Sequence, residues 1–212
     1  MNNLLFYPDM STLAQRYFDI CATRKKPLLI IDTDPGIDDA AAILFALGLE
    51  KMGLVKVLGL TCVAGNVNLH QASKNACVIA DWAQRWDLPV HAGADKPLLK
   101  QLVMAKHVHG QQGLGSAQLH QPKTALQTNS AIDYLYQTLS AAEPYSISIC
   151  AIGPLTNIAQ LLSLYPLLHE KIKEIFIMGG AFFEVGNITP MAEFNFLSTH
   201  TQHKWFYNQA LP

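Results

Sequence analysis

Charge of either sign is scarce in this sequence, and the two signs nearly cancel. Charged residues make up 15% of the 212 positions, with 15 lysines and arginines against 16 aspartates and glutamates, for a formal net charge of -1. A surface without a strong field of one sign does not attract nucleic acid or anionic membrane over a distance. We therefore predict that neither nucleic acid nor a membrane is a partner of this protein.

Long hydrophobic runs and a secretion signal are also missing. No apolar run approaches the roughly 20 residues of a membrane-spanning helix. The first nine residues lack a basic segment and are interrupted by Pro8, unlike a signal peptide. The four cysteines, Cys21, Cys62, Cys77 and Cys150, show no C-x-x-C spacing, and three of them lie in apolar segments. This usage indicates buried, reduced thiols, so we predict a cytoplasmic protein.

What the chain does contain is an alternation of strand and helix patterns. Its length suits one hydrophobic core and is short for two. Short apolar runs typical of buried strands span residues 28–31, 54–63, 88–93, 145–152 and 175–178. Helical patterns lie between most of them, which predicts an α/β fold with a mostly parallel open sheet and helices on both faces. We assign residues 28–212 to this domain and residues 1–27 to an N-terminal extension, where Ser11 is expected to cap a short helix.

The densest chemistry follows the first apolar run. The stretch DTDPGIDD places four carboxylates within eight residues, and a helical pattern follows directly, so Asp38 or Asp39 is expected to cap that helix. A cap needs only one carboxylate, and the four together (Asp32, Asp34, Asp38 and Asp39) repel one another unless a cation lies among them. Hard oxygen ligands at this density predict a calcium or magnesium site.

Polar or glycine-rich turns follow the other predicted strands too. Gly65-Asn66, Gly153-Pro154 and Gly179-Gly180 come after strand-like runs, and in a parallel sheet these ends share one edge with the acidic stretch. Residues 184–195 add two amides and two acids, a set that suits the hydroxyl groups of a sugar. Here Phe194 and its polar neighbours are expected in a strand, while Asn187 alone is also a credible turn residue.

A looser stretch, residues 96–128, contains the segment HVHGQQGLG. Its glycines predict a lid or binding loop, with a solvated loop and incidental histidines as the alternative. His107 and His109 have the spacing of two zinc ligands, but no cysteine or acid lies nearby to complete a zinc site.

Taken in order, these segments resemble the inosine–uridine nucleoside hydrolase family. The matching segments are DTDPGIDDA, VAGN, HVHG, AIGPLTN, MGG and GNITPMAEFN, spread over residues 28–211. The resemblance implies a hydrolase that splits the N-glycosidic bond of purine or pyrimidine ribonucleosides into ribose and free base, in nucleoside catabolism and salvage. It also implies a calcium-activated water. The apolar sheet and helix surface exposed where family members continue past this chain predicts assembly as a homo-oligomer.

The resemblance implies roles for individual residues as well. Asp34 and Asp39 would ligate calcium together with the backbone carbonyl of Ile152, and Asp34 would take the proton of the attacking water. Met178 would line the sugar pocket, with His107 or His109 near the base. The ribose would be held by Asp38, Asn66, Asn187, Glu193 and Asn195.

The resemblance breaks down near the C-terminus. Family members continue well past this chain, and their extra part supplies another calcium-ligating aspartate, often preceded by a histidine that helps the base to leave. Here a helical pattern over about residues 199–210 comes last, and its His200 and His203 are expected at the surface. We therefore expect a C-terminally truncated domain: an inactive fragment, a chain completed by a second copy or another chain, or a relative that binds nucleoside or ribose without cutting it.

A phosphatase of the haloacid-dehalogenase type is the lesser alternative. It would use Asp32 as nucleophile and require magnesium. The sequence disfavours it because the usual Thr or Val two residues after Asp34 is absent, and no downstream Lys with an Asp-Asp pair is evident.

Overall fold

The computed structural model describes residues 25–99, 101–181 and 184–199, with only the backbone of Lys106. Three features of the sequence lie outside these residues. They are the helix expected near Ser11, the cysteine Cys21, and the helix expected beyond Thr199. In the described part, no helix is both long and apolar enough to cross a bilayer. Cys62 and Cys77 are buried and Cys150 is half-buried, all as free thiols, as the sequence predicts.

Five parallel strands form one sheet in the order β3-β2-β1-β4-β5. They are β1 (Leu28–Thr33), β2 (Lys56–Cys62), β3 (Val90–Ala92), β4 (Ile147–Ala151) and β5 (Ile172–Ile177). The first strand, β1, therefore lies in the middle of the sheet. Strands β2 and β3 extend the sheet on one side of β1, and β4 and β5 extend it on the other. The carboxyl ends of β1 and β4 border the point where the strand order reverses, which is where open α/β sheets bind ligands.

Helices connect the strands. They are α1 (Ile37–Lys51), α2 (Leu69–Trp82), α3 (Lys106–His109), α4 (Ala131–Ser140), α5 (Thr156–Leu164) and α6 (Phe194–Ser198), with a 3-10 helix at Pro166–Lys171.

The helices cover both faces of the sheet, as expected. Successive side chains of a strand point to opposite faces, and Ile30 and Ile31 of β1 belong to two different apolar cores. Ile31 packs in a core with Ile43 of α1 and the apolar side of α2, whereas Ile30 packs with Leu135 of α4 and the apolar side of α5. The predicted α/β fold with a parallel open sheet is confirmed.

Three local expectations need correction. The N-cap of α1 is Gly36 rather than Asp38 or Asp39, although the Asp39 carboxylate accepts a hydrogen bond from the Gly36 N–H at 3.0 Å. Strand β5 begins at Ile172, three residues before the expected start. The segment around Phe194 is helix α6 and not a strand, because the Glu193 carboxylate caps it by accepting from the backbone N–H groups of the first turn.

Candidate functional site

The carboxylate turn, residues 32–39, leaves the carboxyl end of β1 and leads into α1. The side chains of Asp32, Asp34 and Asp39 are all buried, the first two completely. The backbone N–H of Asn66 donates to Asp34 Oδ2 at 2.7 Å, and the Thr33 hydroxyl donates to Asp39 Oδ1 at 2.6 Å. These bonds hold two carboxylates in fixed orientations beneath one edge of the sheet.

Two glycines make the burial of Asp34 possible. A Cβ atom at Gly65 would overlap Asp34 Oδ2, and one at Gly153 would lie 2.8 Å from Asp34 Oδ1. Bare backbone after β2 and β4 therefore leaves the space in which the Asp34 carboxylate sits between them.

Burial gives these acids unusual proton affinities. The pKa of Asp34 lies well above its ordinary value because of burial first and the neighbouring charge of Asp39 second. Burial also raises the pKa of Asp39 to about 6, against the lowering effect of hydrogen bonds from Thr33 and Gly36. Two acids in this environment favour the ionised state together only when a positive charge offsets them.

The donor set of the turn suits a hard cation. Among the described residues, Asp34 Oδ1 is one of the buried oxygens without a hydrogen-bond partner, so it is available to a cation. The carbonyl of Ile152 accepts from Asn195 Nδ2 at 2.9 Å and keeps a second lone pair. Two carboxylates and a carbonyl are oxygen donors of the kind calcium takes. Within the described ranges, no group of three or more His, Cys, Asp or Glu side chains is arranged to hold a metal ion.

A pocket of about 220 Å³ opens above this turn. This volume is below the range of about 300–1,000 Å³ that is typical of small-molecule pockets, so the described residues enclose only part of a larger ligand. All eight residues that the sequence assigned to nucleoside binding line it, together with Asp39 and Ile152. The eight are Asp38, Asn66, His107, His109, Met178, Asn187, Glu193 and Asn195. Asp34 lies beneath this lining, bonded to Asn66.

One wall of the pocket is held together by backbone bonds to polar side chains. Glu193 accepts from the N–H groups of Asn195 at 3.0 Å and Gly180 at 3.3 Å. Asn195 Nδ2 also donates to the Met178 carbonyl at 3.2 Å, and Asn187 Oδ1 accepts from the Phe194 N–H at 3.0 Å. These bonds connect described residues of the segment after β5 to the start of α6.

The opposite wall comes from α3. His109 Nδ1 accepts a hydrogen bond from the Ile37 N–H at 3.3 Å and lies 3.8 Å from Asp38 Oδ1. A ring that accepts the Ile37 hydrogen at Nδ1 is the tautomer with its proton on Nε2. His107 is exposed at the pocket mouth.

A buried network beneath the site was missed by the sequence reasoning. Asp32 Oδ1 accepts from the Thr61 hydroxyl at 2.5 Å and from Asn157 Nδ2 at 2.7 Å. Asn157 Nδ2 also donates to the Cys62 carbonyl at 3.1 Å, and its Oδ1 accepts from the Ala94 N–H at 2.9 Å. The one signal in the sequence was a polar residue on an apolar side of α5, directly after the AIGPLT segment. Asn75 of α2 was missed in the same way.

The network also bears on the phosphatase alternative. Burial raises the pKa of Asp32 to about 7, against the lowering effect of its bonds from Asn157 and Thr61. Asp32 Oδ1 already accepts bonds from Thr61 and Asn157 in this network, an arrangement that disfavours Asp32 as the nucleophile on a phosphate ester.

Comparison with known proteins identifies the family. The model of the inosine-uridine preferring nucleoside hydrolase family matches residues 29–198. The pyrimidine-specific ribonucleoside hydrolase RihA of Salmonella typhimurium is 42% identical over 168 residues, covering 79% of this chain and 52% of that protein. The inosine-uridine preferring nucleoside hydrolase of Crithidia fasciculata is 38% identical over 170 residues, covering 80% and 53%. Among solved structures, the plant nucleoside hydrolase PpNRh1 has a TM-score of 0.81 at 37% identity, covering 87% of this chain and 57% of that one.

The matched segment runs from β1 to α6 and includes both the carboxylate turn and the pocket. The chain spans about half the length of the curated relatives it matches. The match covers most of the present chain and agrees in sequence and in fold, which confirms the resemblance seen in the motifs. The chain belongs to the inosine-uridine preferring nucleoside hydrolase family.

Proposed function

We propose that this domain hydrolyses the N-glycosidic bond of ribonucleosides, giving ribose and a free base. One observation carries the proposal. The buried carboxylate of Asp34, with an unpartnered Oδ1, lies beside Asp39 under a pocket lined by amides and acids. A pocket of this chemistry suits a ligand with several hydroxyl groups and a centre that becomes positively charged during reaction.

Calcium is the proposed cofactor, held by Asp34, Asp39 and the Ile152 carbonyl. When bound, it supplies the positive charge that keeps these acids ionised and favours deprotonation of water at the site. Asp34 is the proposed catalytic base. As a carboxylate kept ionised at the proposed calcium site, it would accept the proton of the water attacking the anomeric carbon.

The ribose is proposed to lie against the side chains of Asp38, Asn66 and Asn195, with Asn187, Glu193 and Met178 completing the sugar side. Carboxylates near the anomeric carbon stabilise the oxocarbenium-like transition state by their charge. His107 and His109 are proposed to lie on the base side. With Nδ1 of His109 accepting the Ile37 bond, its Nε2 is the atom proposed to donate to the departing base.

Assembly and compartment are part of the proposal. Large apolar side chains are exposed on α1, on β5 and in the 3-10 helix, among them Phe45, Phe176 and Leu167. Exposed apolar surface of this kind is typical of protein interfaces, which supports a homo-oligomer. Free thiols at Cys62, Cys77 and Cys150 support a cytoplasmic location.

One observation favours a second candidate, a relative that binds nucleoside or ribose without cutting it. The proposed calcium ligands among the described residues comprise two carboxylates and a carbonyl, and the Ile152 carbonyl already accepts a bond from Asn195. A cation held by so few protein ligands binds weakly, and a site without it retains the sugar-side amides.

Calorimetric titration of calcium into the chain, followed by assay of ribose release from inosine and uridine, separates the two candidates. We expect calcium binding by the parent chain, loss of that binding in Asp39→Asn, and unchanged binding in the control Asp95→Asn, which alters an exposed acid. Ribose release that depends on calcium supports the hydrolase. Riboside binding with no ribose release supports the binding relative, and a chain that binds neither calcium nor riboside contradicts both.

A further inference from the structure

The buried amide of Asn75 connects the carboxylate turn to the loop that carries the two histidines. Asn75 lies on α2 and is completely buried. Its Nδ2 donates to the Pro35 carbonyl at 3.1 Å and to the Gln112 carbonyl at 2.8 Å. Its Oδ1 accepts from Gln71 Nε2 at 2.8 Å. Both hydrogens of one amide group are therefore used to join two loops that are distant in sequence.

The histidine loop, residues 105–113, is fastened to the site at both of its ends. At its start, the Ala105 N–H donates to the Asn66 carbonyl at 3.1 Å. At its end, Gln112 is held by Asn75, and the next residue but one, Leu114, is buried in the core between α1, α2 and the sheet. Between these two ends lies His107, whose side chain is exposed and lines the pocket.

Gly113 shows how close the second attachment is. Its φ angle is +86°, which glycine adopts readily, and a Cβ atom there would lie 2.8 Å from Asn75 Nδ2 and 3.1 Å from the Pro35 carbonyl. Because Gly113 has no side chain, the backbone of the loop lies close to both Asn75 and the carboxylate turn.

We infer that Asn75 is a positioning residue, which sets the histidine loop relative to the carboxylate turn and so sets the base side of the pocket. Asparagine suits this role because its amide donates to two carbonyls while its oxygen accepts a third bond. An apolar side chain of similar size would leave the Pro35 and Gln112 carbonyls without donors. The inference rests on the proposed function for the identity of the ligand, but the attachment of the loop is independent of it.

This role predicts that changes at Asn75 affect the base side of the pocket and not the sugar side. The sugar side of the pocket comes from Asp38, from Asn66 and from the segment after β5. Asn75 does not touch Asn66 or that segment, and the carboxylate turn that carries Asp38 keeps its bonds to Asp39 and Asp34 when the Asn75 bond to Pro35 is lost. The base side comes from the histidine loop. Loss of the Asn75 bonds should therefore weaken the binding of a whole nucleoside and leave the binding of ribose alone unchanged.

The test uses two variants and a matched control. Asn75→Ala removes both donated bonds, and Gly113→Ala pushes the loop away from the intact asparagine. Gln71→Ala removes only the bond to Asn75 Oδ1, from the same helix one turn earlier. Amide hydrogen exchange is measured over residues 105–115, and inosine and ribose binding are measured by calorimetry with calcium present.

We expect the Gly113 and Gly115 amides, which bond to the Gly110 and His109 carbonyls, to exchange about tenfold faster in both variants, the effect of losing roughly one hydrogen bond. Inosine affinity should fall by a similar factor with ribose affinity unchanged, and the control should match the parent chain. Unchanged exchange in the loop, or an equal loss of inosine and ribose affinity, overturns the inference. If the parent chain binds neither ligand, the proposed function fails, while the exchange rates still decide whether Asn75 holds the loop.

Discussion

At the scale of single residues, the aspartates of this protein differ in charge state and role because their neighbours differ. Burial raises the pKa of Asp32 to about 7 against the hydrogen bonds from Asn157 and Thr61, and Asp34 combines burial with an oxygen that lacks a partner. Asp38, two-thirds exposed, faces the pocket. Asp81 is the opposite case, because its carboxylate accepts four hydrogen bonds that all favour the charged form. The role of each acid follows from its bonds and not from its type.

Asn157 provides a prediction about stability. Asn157→Ala leaves the Ala94 N–H buried without its partner and removes one of the two donors to Asp32 Oδ1, while the Cys62 carbonyl keeps its bond from the Gly93 N–H. Unsatisfied buried groups cost about 1–3 kcal/mol each, so we expect a loss of about 3 kcal/mol in the free energy of unfolding. Urea denaturation measures it. The control is Thr156→Val on the preceding residue, whose buried hydroxyl has no hydrogen-bond partner among the described residues. A loss in the control as large as in Asn157→Ala would contradict the explanation.

Asp81 provides a prediction about pH. It accepts from the Lys123 N–H at 2.6 Å, from the Thr124 N–H at 2.8 Å, from the Thr124 hydroxyl at 2.6 Å and from His120 Nε2 at 3.0 Å. Burial would raise the pKa of Asp81, but these hydrogen bonds outweigh it and hold the pKa well below its ordinary value.

An acid with a lowered pKa binds fewer protons in the folded state than in the unfolded state, so its contribution to stability is lost as the pH falls. We expect the free energy of unfolding to fall below about pH 4, the ordinary value for aspartate, and to fall less steeply in Asp81→Asn. Denaturation at a series of pH values measures both slopes. An equal slope in the variant would show that other groups cause the acid sensitivity.

At the scale of elements, the site is made by the ends of neighbouring strands. The turns after β1, β2 and β4 meet because the strands are parallel, and Asp34 fits between the second and third of these turns. The helices then present their first turns to the same edge. Asp39 lies in the first turn of α1, where its negative charge interacts favourably with the positive end of the helix dipole, and it also lines the pocket.

Gly65→Ala tests this packing of strand ends. The new Cβ atom would overlap Asp34 Oδ2, so the carboxylate must move from its bond with the Asn66 N–H. We expect calcium affinity to fall by about tenfold to a hundredfold, the usual effect of disturbing the surroundings of a metal ligand, as measured by calorimetry. The matched control is Gly48→Ala on α1, where a Cβ atom meets nothing within 4 Å. That change should leave calcium affinity unaltered and stabilise the helix by about 0.5–1 kcal/mol. Equal calcium affinity in Gly65→Ala and the parent chain would argue that Asp34 is not a ligand.

At the scale of the whole molecule, two apolar cores share one sheet, and the site lies where both cores end. Ligand binding at this edge contacts β1, β4 and β5 together, through the carboxylate turn, Ile152 and Met178. A cation bound there stabilises the folded domain as a unit, because the unfolded chain does not bring these groups together.

Calcium should therefore raise the melting temperature of the chain. At a hundredfold excess of calcium over its Kd the stabilisation is about 2.7 kcal/mol, which corresponds to an increase of about 5–10 °C for a domain of this size. Differential scanning calorimetry measures the shift with calcium and with a chelator. Asp39→Asn should show no shift. A similar shift in that variant would mean that calcium acts elsewhere on the protein.

The sequence by itself determined the parallel α/β sheet and the carboxylate turn, which depend on short-range patterns: apolar runs of strand length, helical spacing, and polar turns that parallel strands bring to one edge. The individual pocket residues followed from the resemblance of its motifs to a known family. Even so, the local pattern around Phe194 was misread as a strand, since the capping of α6 by Glu193 depends on bonds that a short polar segment does not reveal.

Only the tertiary structure decided which buried polar groups meet. The bond between Asn157 and Asp32 joins residues 125 positions apart, and Asn75 reaches Pro35 and Gln112 across 40 and 37 positions. Hydrophobic periodicity predicts which face of an element is buried, but it does not predict which hydrogen-bond partner a polar residue on that face will meet. That choice depends on how helices and strand ends pack in three dimensions, and it fixes the burial of Asp34 and the attachment of the histidine loop.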